Sequence, residues 1–160
     1  MGDDWANFLV AQVGASAALL GLLFVGMPLN LSAILAEPHL PRRARLAMAQ
    51  LLVVMLIAMV ALIPHLPDRL RGGVIAGLGA VVFVPGHRIE RILSRSRVAP
   101  PTKLLANLVP FECAVVPYLV AGSLLVLGLA GGPYWLAAGM ILSITKAVVD
   151  AWVLLVAINR

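Results

Sequence analysis

Charge is scarce in this sequence. Only 12% of its 160 residues are Asp, Glu, Lys or Arg, against about 25% in an average soluble domain. That shortage excludes an intrinsically disordered chain, which needs charge and low hydrophobicity. Cysteine is nearly absent. One residue, Cys113, cannot close an internal disulfide, so cysteine usage says nothing about redox compartment. The three histidines (His39, His65, His87) are too scattered for one segment to build a metal site. There is no HExxH, GxSxG or P-loop pattern, and no serine stands with a plausible buried histidine base. An enzyme is not expected, no cofactor is implied, and the catalytic and metal sets are empty.

Apolar residues are what the chain has in excess. They make up 62% of it, with a mean hydropathy of +1.03. A domain this size leaves roughly a third of its unfolded surface in water, so one soluble core cannot absorb that excess. The reading is an all-α, multi-pass membrane protein in a single domain, residues 1–160.

Spans of about 20 apolar residues cross a bilayer. Five runs qualify or nearly so: 8–35, 44–63, 72–87, 104–130 and 133–158. Pro28 interrupts the first and predicts a kink followed by an interfacial tail. The third reaches only roughly 24 Å at 1.5 Å per residue. The charges decide whether it spans. If all five runs cross, Arg42, Arg43, Arg45, Arg88, Arg91, Arg95, Arg97, Lys103 and Arg160 share one side. Arg69 and Arg71 stand on the other, with Asp3 and Asp4. The positive-inside rule then places the N-terminus outside and the C-terminus in the cytoplasm. Trp5, Tyr134 and Trp135 fall at the outer interface, where aromatic belts form. The acidic N-terminus lacks the positive start of a cleaved signal, and Ala6 breaks the myristoylation pattern, so no cleavage or lipidation is expected.

Ionisable residues inside spans mark pathways or relays by default. Glu112 and Asp150 lie roughly 12–15 Å deep in the fourth and fifth runs, and Lys146 one turn deeper. Lys146 and Asp150 share a helix face. Joined by the short turn at Gly131-Gly132-Pro133, the two runs are antiparallel neighbours, so the three groups are expected to meet. Such a cluster carries net −1 and leaves one acid without its own cation. It serves an ion or proton pathway, a structural lock, or a partner helix. Pro110 and Pro117 flank Glu112 and free backbone carbonyls, which can coordinate cations. Pro28 and Asn30 lie near the same level and complete the sketch of a polar cavity. Ordinary kinking is the plainer account of these prolines.

Small residues recur at four-residue spacing: Gly139, Ser143, Ala147 and Ala151 in the fifth run, Gly73 and Gly77 in the third, Gly14 and Ala18 in the first. Such ladders let helices approach closely, within the bundle or in a homo-oligomer. Arg88, Arg91 and Arg95, with Ile89, Ile92 and Leu93 opposite, read as an amphipathic surface helix held by anionic lipid headgroups. A topology determinant explains them as well. Nucleic acid is not an expected partner.

The N-terminal third has a further feature. Trp5-Ala6-Asn7-Phe8, the run from Gly14 to Gly21, then Asn30-Leu31 and Ile34-Leu35 resemble a set of small bacterial membrane proteins, some provisionally labelled FtsH protease modulator. The resemblance implies a bacterial inner-membrane location and transfers no site residues. Two functions are carried forward: a small oligomeric ion or proton pathway, and a non-catalytic accessory subunit of a membrane complex such as a protease.

Overall fold

The computed structural model describes residues 3–36, 40–94 and 101–158, all helices and the short turns between them. Six helices follow in order: α1 (Asp3–Leu29), α2 (Leu31–Ala36), α3 (Leu40–Leu62), α4 (Asp68–Ser94), α5 (Pro101–Leu127) and α6 (Gly132–Ile158). Helices α1, α3, α4, α5 and α6 are each long and apolar enough to cross a membrane. Large apolar side chains on their outer faces, among them Leu22, Phe24, Val25, Val81 and Trp152, are 64–70% exposed. Outward leucine and tryptophan at this density suit acyl chains and not water.

The helix ends follow local chemistry. Pro41 opens α3, where its missing N–H costs nothing. Pro64 lies just past the end of α3 at Leu62. Arg71 clasps the α3–α4 turn, donating to Asp68 at 2.5 Å and to the Ile63 carbonyl at 3.3 Å. Gly128 (φ 69°) ends α5. Its N–H donates to Leu125 O and that of Leu129 to Leu124 O, the paired bonds of a Schellman cap. The turn to α6 thus begins at Gly128, three residues before the expected Gly131.

Helices α3, α4, α5 and α6 pack each against the next and close into a four-helix bundle, while α1 lies outside it against α3. The α4–α5 seam is the closest. Gly72, Gly79 and Gly86 recur every seven residues along α4 and face Gly122, Tyr118 and Phe111 of α5. A Cβ on Gly72 would stand 2.5 Å from the Gly122 carbonyl oxygen. Seven-residue spacing keeps one stripe facing the partner helix. Gly73 and Gly77, the expected packing pair, sit one and two residues out of that register. A Cβ on either meets nothing within 4 Å, so they do not serve packing inside the bundle.

Two boundaries differ from expectation. Helix α4 runs unbroken past Pro85 to Ser94, so the arginine-rich stretch up to Ser94 is no separate surface helix but the last turns of α4 itself. Arg88 and Arg91 are exposed on it, and Arg95 lies outside the described residues. Helix α5 likewise continues through Pro110 and Pro117.

Candidate functional site

The buried charges meet where α3 begins and α4 and α6 end. Lys146 on α6 donates to Asp150 one turn on, and its Nζ lies 3.4 Å from Glu90 Oε1 on α4. Asp150 Oδ1 also lies 3.5 Å from Nη1 of Arg43 on α3. Glu90 and Asp150 are each 2% exposed and Lys146 8%. Two cations and two carboxylates therefore balance. Isolated buried charges cost several kcal/mol each, and only close pairing repays that cost.

This geometry corrects the expected trio. Lys146 and Asp150 do meet, but Glu112 does not join them. Its Oε1 lies 3.0 Å from His87 Nδ1, and the carboxylate is 41% exposed. Phe83 stacks on the His87 ring at 5.6 Å. Glu90 takes the second acidic place and Arg43 adds a second cation, so no carboxylate is left over. The site is built by α3, α4 and α6, not by the first, fourth and fifth runs. Asn30 stays apart. Its side-chain amide donates back to the Gly26 carbonyl at 3.1 Å, closing the break after Pro28, and it lines an apolar groove of 290 Å³ between α1, α3 and α6.

A second polar set lies deeper. Tyr118 Oη donates to Ser143 Oγ at 2.9 Å, and Ser143 donates to the Ala114 carbonyl at 3.2 Å. Gly139 makes room for the Tyr118 ring, which a Cβ there would approach to 2.9 Å. Gly139, Ser143 and Ala147 all face the inside of the bundle, with Ala147 1% exposed beside Ala47 and Leu51. Ser143 thus meets a backbone carbonyl of the proline-flanked segment. Among the described residues no three His, Cys, Asp or Glu side chains form a group able to hold a metal.

Gln50 was missed by sequence reasoning. It is 0% exposed, and neither polar atom of its amide has a partner among the described residues. It lies seven residues along α3 from Arg43, on the same face. Gln12 on α1 also buries its Oε1 without a partner. One turn on, Ser16 donates to the Gln12 carbonyl at 2.5 Å. An unpartnered buried polar group costs about 1–3 kcal/mol, so the Gln50 amide and the Gln12 Oε1 need a reason.

Comparison with known proteins returns no matching family model, no matching curated protein and no matching solved structure.

Proposed function

We propose that the protein is a multi-pass membrane protein, its arginine-rich end in the cytoplasm and its N-terminus outside, that conducts protons along a buried polar file. The file begins at His87 and Glu112, half-exposed near the arginine-rich end. It enters the Arg43–Asp150–Lys146–Glu90 network, where carboxylates can exchange protons. Gln50 and the Ser143–Tyr118 pair extend it inward, and Ser16 and Gln12 on α1 continue it toward the other face. The observation that carries this reading is the fully buried Gln50 amide, neither of whose polar atoms has a partner among the described residues, together with the buried, unpartnered Oε1 of Gln12 on α1. Amides of this kind are satisfied by water, and a file of waters and side chains passes protons where a bare ion finds no wet pore. Apart from Asn30 in one and Arg45 in the other, both grooves described on the surface are lined by apolar residues, which favours protons over larger ions.

Proton flux into proteoliposomes tests it. Glu90→Gln and Asp150→Asn are expected to abolish or strongly slow the flux, and Glu112→Gln to slow it less. No flux above empty liposomes at several pH values would overturn the reading.

A second reading rests on a separate observation. Gly14, Gly21, Gly73 and Gly77 face open space, so α1 and α4 offer small-residue faces for another helix. That suits a homo-oligomer, or an accessory subunit of a bacterial inner-membrane complex such as a protease. It predicts a partner that co-purifies with the wild type and is lost with Gly77→Leu, while the bundle itself still folds.

A further inference from the structure

We propose that the groove between α3 and α4 is a binding site for one anionic phospholipid, its phosphate on Arg45 and one acyl chain along the groove. The inference rests on the membrane reading but is independent of proton conduction. The groove has a volume of 280 Å³ and is lined by Arg45, Ala49, Leu56, Leu78, Val82 and Ile89, among others. Arg45 is its one charged lining residue and stands at one end. Every other lining residue is apolar, so the groove matches a molecule with a charged head and an apolar tail.

Its length fits as well. From Arg45 to Leu56 along α3 is eleven residues, about 16 Å at 1.5 Å per residue. That is half of a hydrocarbon core of about 30 Å, the depth of one leaflet measured from the arginine-rich face. Gly86 and Pro85 lie in the wall on α4.

Charge complementarity selects the headgroup. Arg45 is exposed and makes no ion pair among the described residues. Arg42 lies one turn away on α3, and Arg88, exposed, precedes the lining residue Ile89 on α4. Of the acids described at this end, Glu90 and Asp150 are engaged by Lys146, and the Glu112 carboxylate lies 3.0 Å from His87. A zwitterionic head brings its own cation toward these arginines, whereas phosphatidylglycerol brings only the phosphate. A positive residue near the membrane surface favours an anionic lipid about fivefold.

The test uses the full chain in nanodiscs of equal phosphatidylglycerol and phosphatidylcholine, with retained lipids counted by native mass spectrometry. The wild type is expected to keep phosphatidylglycerol over phosphatidylcholine by about fivefold. Arg45→Gln should erase that preference, and Ala49→Phe, which fills the groove, should remove the retained lipid. If Ala49→Phe does not fold, Leu52→Trp on the exposed lip fills the same space. Arg69→Gln, at the opposite end, should change nothing. Equal retention of both lipids, or a preference that survives either Arg45→Gln or the groove-filling variant, would overturn the site. Flotation with pure phosphatidylcholine vesicles separates the two levels. A chain that floats but shows no preference loses only the lipid site, and a chain that does not float loses the membrane reading with it.

Discussion

Lys146 and Glu90 are 56 residues apart in the chain, and their charged atoms lie 3.4 Å apart in the fold. With Asp150 and Arg43 they tie α6, α4 and α3 together at one end of the bundle. The tie is neutral only when all four members are present and charged.

Removing one member should therefore cost more than removing an ordinary buried side chain. Lys146→Met removes the cation that Glu90 and Asp150 share, and breaking a buried pair this way costs about 3–5 kcal/mol. The loss should appear as a large drop in the unfolding midpoint in detergent. A Lys146→Met protein as stable as the wild type would mean the network is not held as described.

The α4–α5 seam discriminates between neighbouring glycines. Gly72→Leu and Gly86→Leu force backbone or ring atoms apart and should prevent a folded bundle. Gly73→Leu and Gly77→Leu meet open space and should leave the monomer's midpoint nearly unchanged. Size-exclusion chromatography of the four variants checks this. Equal damage from all four would contradict the seven-residue register.

Much of this register was open to reading. Five apolar runs and the break at Pro28 follow from hydropathy and backbone chemistry alone, and each appears as a helix or a helix break. The pairing of Lys146 with Asp150 follows from i, i+4 spacing. Glu90 and Arg43 were harder, because both sit in arginine-rich stretches that resemble solvated loops. The signal for Glu90 was the stripe Gly72, Ile75, Gly79, Gly86, which carried past His87 points Glu90 inward. For Arg43 it was the face Ala47, Gln50, Val54, extended back one turn. Glu112 misled because depth along a helix does not say which way a side chain faces.

The Tyr118–Ser143 bond is buried and direct. Tyr118→Phe removes the donor while Ser143 keeps the Ala114 carbonyl as a partner, so the cost should be about 1 kcal/mol. Ser143→Ala leaves the tyrosine hydroxyl unpaired and should cost more, about 1–3 kcal/mol. A double-mutant cycle measures the coupling, and additive losses would show that the two hydroxyls do not interact.

Gln50 carries the central claim most directly. If its amide serves a proton file, stability has been given up for function there. Gln50→Leu replaces two unpartnered buried polar atoms with an apolar side chain of similar size. The account predicts a protein more stable by about 1–3 kcal/mol whose proton flux in liposomes falls to that of empty vesicles. A stabilised Gln50→Leu protein with undiminished flux would contradict it, as would a destabilised one.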